Sequence, residues 1–371
     1  MKTLPEIDDY RALLLAEQPL LDVRAPIEYA GGSLTGACNL PLMNDAERHQ
    51  VGICYRQHGQ QAAIDLGHRL VCGELREQRV AAWRDYITAH PQAVIYCARG
   101  GLRSHISQQW LADSGLLCAR VSGGYKALRS YLIDYLGSFS ANGSVVVLSG
   151  MTGTGKTTLL KQLQRAIDLE GAANHKGSSF GRPLDEQPSQ ADFENRIALD
   201  LLKLVDGEEC SAPVVIEDES RMIGSRQLPP PLLARMAASP IAVIDMAFEE
   251  RLENLWQEYV VDRHRQTLAA FGEDGEKHFA SHLTDSLLRI KKRLGGARTQ
   301  QLLTQMERAI ACQQHDQYAA HRDWLTVLTR DYYDPMYRYQ LNQKAHSIAF
   351  RGSADEVADW LASTTGQRHP F

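Results

Sequence analysis

The chain has 371 residues, 44% of them hydrophobic, enough for two or three packed domains of roughly 150 residues each. Lysine and arginine number 40 against 45 aspartates and glutamates, a formal net charge of −5. This excludes a protein that binds nucleic acid through bulk positive charge, so any polyanion must be met by local patches.

No run reaches the roughly 20 apolar residues of a membrane span. The opening MKTLPEIDDYRALLL carries acids where a secretory leader needs a basic and then an apolar stretch, so a cytoplasmic protein with no membrane partner is expected. Seven scattered cysteines with no CxxC pair argue against a disulfide framework or a cysteine zinc site.

In chain order, PLLDV (19–23) and AVIYC (93–97) read as buried strands. GQQAAIDLGHRLVCGELREQRVAAWRDYI (59–87) reads as helix broken near Gly73, and RSHISQQWLADSG (103–115) as helix ending at Gly115. Strands alternating with helices predict a parallel sheet. GSFSANGS (137–144) reads as a linker. VVVLSG (145–150), PVVIED (213–218) and IAVIDM (241–246) are the strands of a second such unit, with TTLLKQLQRAI (157–167) a helix after the first of them. From 247 the pattern is helical and charged, broken at FGEDGEK and LGGAR. The expected fold is α/β, with parallel-sheet domains over 1–137 and 144–246 and a mostly α-helical extension over 247–371, either separate or packed with the second domain.

Cys97 stands where an apolar strand gives way to a helix, inside CARGGLRS (97–104). Glycines let backbone N–H groups turn inward around an anion, the helix N-terminus adds partial positive charge, and Arg99 and Arg103 add formal charge. All three favour a thiolate, so Cys97, Arg99 and Arg103 are the candidate catalytic residues. The spacing also fits a cysteine phosphatase, and the loop alone does not decide. LLDVRAPIEYAGGSLTGACNLPL (20–42) resembles the opening signature of rhodanese domains, and VSGGYKALR (121–129) their closing segment. That resemblance implies a rhodanese-like first domain whose cysteine carries sulfur or selenium, with Asp22 and Arg24, and likewise Glu28, bracing the fold and the loop.

GMTGTGKT (150–157) satisfies the phosphate-loop pattern after a strand and before a helix. Gly150, Thr152, Gly153, Gly155, Lys156, Thr157 and Thr158 are its candidate phosphate-binding residues: glycines for close backbone approach, Lys156 for charge, and Thr157 for a magnesium ion if one is used. In VVIEDES (214–220) Glu217, Asp218 and Glu219 compete for the metal-facing role, and Asp218 is the residue favoured. The loop recognises a di- or triphosphate and says little about what is attached to it.

Further candidates for substrate or RNA contact are His175 and Lys176 in the Gly/Ser-rich DLEGAANHKGSSFGR (168–182), and Arg221 and Arg226 after the third acid. Arg263 and Arg265 lie in DRHRQ, and Lys291, Lys292 and Arg293 in RIKKRLGGAR. Such basic clusters are usually solvated helix faces. DYYDPMYRYQ (331–340) offers tyrosines that can stack on bases, with core packing at a helix end as the default.

A rhodanese-like module followed directly by a phosphate loop, together with CARGGLRSH, GGYKALR, DLEGAANHKGSSFG, EDESRMIG and YYDPMYRYQ, resembles the tRNA 2-selenouridine synthases over almost the whole chain. The resemblance implies a transferase that replaces the sulfur of wobble 2-thiouridine by selenium from selenophosphate, by way of S-geranylation from geranyl diphosphate. It implies the tRNA anticodon region as partner and no tightly bound cofactor. Cys97 then either takes selenium from selenophosphate or helps expel the geranyl thiol. The rival readings are a cysteine phosphatase, or a rhodanese-type sensor coupled to a P-loop NTPase.

Overall fold

A computed structural model describes residues 4–205, 212–313 and 318–365. They form two compact units, Met1–Ser138 with Pro188–Asp206, and Phe139–Gln187 with Gly207–Phe371.

In the first unit β1 (Glu6–Ile7), β2 (Leu20–Asp22), β3 (Cys38–Asn39), β4 (Val94–Tyr96) and β5 (Ala119–Val121) form a parallel sheet in the order β1-β5-β4-β2-β3. β2 and β4 are buried along their whole length, as strands covered on both faces must be. Leu21, Ile95, Trp83 and Leu111 anchor the core between them and the helices. The helix Asp45–Leu70 starts on a capping box of Asn44 and Glu47 and kinks at Gly59, where φ is +82°. The next helix, Gly73–Ala89, follows the break anticipated near Gly73.

The stretch 137–144 holds the boundary between the two units, at Ser138 and Phe139, but it is not an open coil: the helix Gly124–Asn142 runs through most of it. Leu128, Leu132, Leu136 and Phe139 recur at helical spacing and are all buried, and that stripe overrides the small polar residues among them. The helix Gln190–Val205, which the sequence reading places in the second domain, belongs to the first unit. There Asp192 accepts the Ser33 N–H, and Asn195 donates to the Ser33 carbonyl at 2.7 Å.

The second unit contains β6 (Val145–Gly150), β7 (Ala166–Ile167), β8 (Val214–Glu217), the hairpin β9 (Met222–Ile223) and β10 (Arg226–Gln227), β11 (Ile241–Ile244) and β12 (Ile348–Gly352). Its main sheet is parallel, in the order β12-β11-β6-β8-β7. The helix expected over 157–167 stops at Gln162, because Ala166 and Ile167 pair with β8 instead. The helices after β11 pack around Phe279, Leu283, Leu287, Trp324 and Leu328. The chain then returns as β12 beside β11, and the helix Ala354–Thr365 covers that sheet with Val357 and Leu361. The helical region is thus enclosed between strands of one unit. The expectation of a mostly helical tail holds, apart from β12.

Candidate functional site

In the first unit β4 delivers Cys97 to a loop that ends at the helix Leu102–Asp113. Cys97 is 3% exposed. Its Sγ lies 3.2 Å from Ser104 Oγ and 3.9 Å from the Gly101 carbonyl oxygen. Arg99, Gly101 and Leu102 next to it are exposed. Arg103 makes two bonds to the Glu28 carboxylate, at 2.5 and 3.0 Å. Burial works against the Arg103 charge, but Glu28 and the nearby Cys97 more than offset it and hold its pKa above the usual arginine value. Burial likewise opposes ionisation of Glu28, yet Arg103, the Ala25 N–H and Arg48 hold its carboxyl below the usual range.

The closing segment shapes this loop directly. Tyr125 N–H donates to the Cys97 carbonyl at 2.9 Å and Lys126 N–H to that of Ala98 at 3.0 Å. Arg120 donates to the Gly100 carbonyl at 2.6 Å. Gly100 and Gly124 meet here with φ of +61° and +60°, and a Cβ on Gly124 would lie 2.2 Å from the Cys97 carbonyl oxygen. Both positions therefore require glycine.

Asp22 and Arg24 form a fully buried ion pair, 2.6 Å at its shortest, and Arg24 also donates to the Gly32 carbonyl. The Arg24 guanidinium stacks 4.0 Å over the Tyr125 ring, so this pair supports the cysteine loop through Tyr125 and does not touch the sulfur. A cavity of about 670 Å³ is lined by Glu28, Arg103, Met43 and Trp110, but not by Cys97.

In the second unit β6 runs into the phosphate loop, and Gly155 at φ +77° starts the helix Lys156–Gln162. Gly153 has φ +87°. Lys156 Nζ donates to the Gly150 carbonyl at 2.9 Å, and Thr157 Oγ1 donates to Glu170 Oε2 at 3.3 Å. The helix Phe248–Trp256 braces the loop from behind. Asn254 donates to the Gly153 carbonyl at 2.8 Å, and Arg251 to that of Thr152 at 3.2 Å. Arg251 is itself held by Asp334 through bonds of 2.8 and 2.7 Å, both side chains being almost wholly buried. The tyrosine-rich motif thus serves the phosphate loop: its Asp334 anchors Arg251, and the Tyr337 ring lies 5.8 Å from Lys156 Nζ.

The acids at the end of β8 separate, since successive residues of an extended chain face opposite ways. Asp218, the residue favoured from sequence, accepts from Ser149 at 2.8 Å and from Lys344 at 2.6 Å. Glu217 and Glu219 instead converge with Glu170, one carboxylate oxygen of each lying within 4.8 Å of the others. Glu217 is wholly buried; its Oε1 accepts the Glu170 N–H at 2.6 Å and its Oε2 has no partner. Burial, and then Glu170, push the Glu219 carboxyl up to about 8 and that of Glu217 well above the usual range. Three carboxylates beside Thr157 suit a hard divalent cation, so the group to test is Glu170, Glu217 and Glu219, not Asp218.

A cavity of about 630 Å³ reaches from Thr157 to His175, Lys176 and Arg263. Lys176 is paired with Glu258 at 2.5 Å. Arg265, Lys291, Lys292 and Arg293 are exposed and do not line this cavity, nor do Arg221 and Arg226 on the β9–β10 hairpin.

Sequence reasoning missed Ser104, Arg120, Glu170, Arg251 and Asn254. Ser104 closes the CARGGLRS spacing and Glu170 lies in the stretch 168–182, but neither was singled out; Arg120, Arg251 and Asn254 stand in no recognisable spacing, because each acts through a neighbour distant in the chain.

Residues 143–368 match the family model described as the tRNA 2-selenouridine synthase AAA domain. The chain is 49% identical over 361 residues to the tRNA 2-selenouridine synthase of Hahella chejuensis, covering 97% of this chain and 95% of that one. It is 47% identical over 367 residues to that of Marinobacter nauticus, covering 98% and 100%. The same-named protein of Pseudomonas fluorescens is 47% identical over 361 residues, covering 96% and 97%. The chain belongs to the tRNA 2-selenouridine synthase family. Within this family assignment the cysteine loop and the phosphate loop lie in the two separate units described above, and the matched model takes in the phosphate loop, the helical region and β12 together.

Proposed function

We propose that the protein replaces the sulfur of 2-thiouridine in tRNA by selenium, with Cys97 serving the selenium step and the phosphate loop serving S-geranylation. The supporting observation is one chain that holds both a glycine-bound cysteine loop and a phosphate loop, and that matches the named synthases along nearly its whole length.

Sulfur at C2 of a pyrimidine is a poor leaving group, and alkylation improves it. In that step the sulfur attacks the first carbon of geranyl diphosphate, the C–O bond breaks, and its electron pair leaves with the diphosphate. Lys156 and the loop N–H groups offset the charge that develops on that oxygen. A magnesium ion, if bound, would be held by Glu170, Glu217 and Glu219 beside Thr157 and would add to this neutralisation. In the second step the selenium of selenophosphate attacks C2, the C2–S bond breaks and the geranyl thiolate departs, and water then cleaves the Se–P bond so that phosphate leaves. Ser104 and the Gly101 carbonyl orient Cys97, and Arg103 contributes charge nearby. The anticodon region is the part of the tRNA assigned here, since an unpaired base is turned out at low cost. Arg221, Arg226, Arg265, Lys291, Lys292 and Arg293 are assigned to its outer contacts.

The test is mass spectrometry of tRNA nucleosides after incubation with thiolated tRNA, selenophosphate and geranyl diphosphate, each omitted in turn. Cys97→Ala should abolish selenium incorporation and leave geranylated nucleoside. Lys156→Ala should abolish geranylation. Selenium incorporation that survives Cys97→Ala would refute the role of Cys97, and geranylation that survives Lys156→Ala would refute the role of the phosphate loop.

A further inference from the structure

The second unit carries cations that no carboxylate neutralises by direct contact. Arg263 is 9% exposed, and its Nη2 donates to the Arg182 carbonyl at 2.7 Å. Among the described residues Arg182, Arg263 and Arg289 form no ion pair; Glu258 acts on Arg263 and Asp285 on Arg289 only at longer range. Two histidines share the neighbourhood. His282 Nε2 is 3.1 Å from the Phe180 carbonyl and so carries the proton. His175 Nδ1 is buried with no partner. Arg263, His175 and Lys176 line the 630 Å³ cavity that begins at Thr157, whose wall also carries Asp168, Glu170 and Asp185.

The two histidines and Arg289 bear the charge of the neighbouring arginines. Burial, then Arg263, Arg289 and Arg182, bring His282 down to about 4. Burial, then Arg182 and Arg289, depress His175, and burial, then Arg182, depress Arg289. Arg263 stands at the cavity wall and Arg182 and Arg289 on the exposed surface, and unpaired cations that act on one another are the arrangement an anion relieves.

We propose that Arg263, with Arg182, Arg289 and His175, is a phosphodiester-binding subsite that holds the RNA backbone beside the phosphate loop. It rests on the reading of the protein as a tRNA-modifying enzyme. Two features favour a backbone phosphate over a free one. Guanidinium forks match the paired non-bridging oxygens of a phosphate. Arg182 and Arg289 are exposed, so a polymer can run on past Arg263, whereas a small anion needs no such surface.

The test uses the full-length protein, a fluorescently labelled tRNA transcript and inorganic diphosphate as the small-anion probe. Arg182→Gln/Arg289→Gln and Arg263→Gln should each weaken tRNA binding about 5- to 30-fold and lower the slope of log K against log salt by about 1 for each phosphate no longer neutralised. Diphosphate affinity, measured by calorimetry, should stay within about twofold, since the P-loop residues are untouched. Because Arg263 is buried, the exposed double variant decides the matter if Arg263→Gln misfolds. Unchanged tRNA affinity and salt slope in the double variant would overturn the subsite. So would a loss of diphosphate binding with tRNA binding intact, which would assign the cluster to a free phosphate. Failure of the wild-type protein to bind tRNA at all would instead overturn the functional reading, and the subsite with it.

Discussion

Asp334→Asn tests whether the phosphate loop is held from behind by a buried charge. Asp334 and Arg251 are 4% and 3% exposed at their side chains and share bonds of 2.8 and 2.7 Å. Removing the carboxylate charge leaves the Arg251 guanidinium buried and unneutralised, which costs about 3–5 kcal/mol. The exposed Arg338, 3.9 Å from Asp334, adds little to this. The cost appears as faster amide hydrogen exchange in the helices Phe248–Trp256 and Asp334–Gln343, by roughly a hundredfold or more if the opening is local. Replacing both partners by apolar residues, Arg251→Met/Asp334→Leu, should restore most of that protection, since a buried pair and a well-packed apolar pair are about equally stable. It should not restore diphosphate affinity, because the Thr152 carbonyl loses its Arg251 donor; a loss of about tenfold corresponds to roughly 1.4 kcal/mol. Exchange in Asp334→Asn within about fivefold of wild type, or wild-type diphosphate affinity in the double variant, would refute the bracing role.

Gly124→Ala should abolish selenium incorporation while sparing diphosphate affinity, because its Cβ would lie 2.2 Å from the Cys97 carbonyl oxygen and the backbone there has φ +60°; a variant with full selenation, read by nucleoside mass spectrometry, removes the loop geometry from the mechanism. His321 is wholly buried, accepts the Trp324 Nε1–H at 3.0 Å and lies 2.9 Å from Gln313 Oε1. Burial, with His264 nearby, brings its pKa from 6.5 down to about 4. Below 6.5 the unfolded chain takes a proton that the folded protein refuses, so this stabilisation is complete above 6.5 and is lost as pH falls towards 4. It amounts to on the order of 3 kcal/mol. In urea unfolding between pH 4.5 and 7, His321→Gln should flatten the dependence by about one proton, and an unchanged slope refutes the assignment. Finally, magnesium should raise the thermal midpoint of the wild-type protein and not that of Glu217→Gln, since binding to the folded state alone stabilises it; an equal rise in both dismisses the three-glutamate site.

How far the amino-acid order reached can be judged residue by residue. The α/β class, the strands β2, β4, β6, β8 and β11, and the two loops were legible, because strand, glycine turn and helix are set by near neighbours. The apolar runs around Cys97 and Gly150 carry that information locally. The same locality explains the errors. The stripe from Leu128 to Phe139 carries its helix into the small residues of 137–144, and Ala166 and Ile167 are strand only because β8 lies beside them.

Sequence alone therefore determined which chemical groups the protein carries and the local turns that present them: a cysteine at a helix start, and a lysine in a glycine loop. Tertiary structure decided what those groups touch. It gave Arg103 to Glu28, turned Asp218 towards Ser149 and Lys344, gathered Glu170 with Glu217 and Glu219, and placed Arg251 and Asp334 behind the phosphate loop. Electrostatic partnership depends on distance through space, and residues 83 apart in the chain, as Arg251 and Asp334 are, meet only once the whole unit has closed around them.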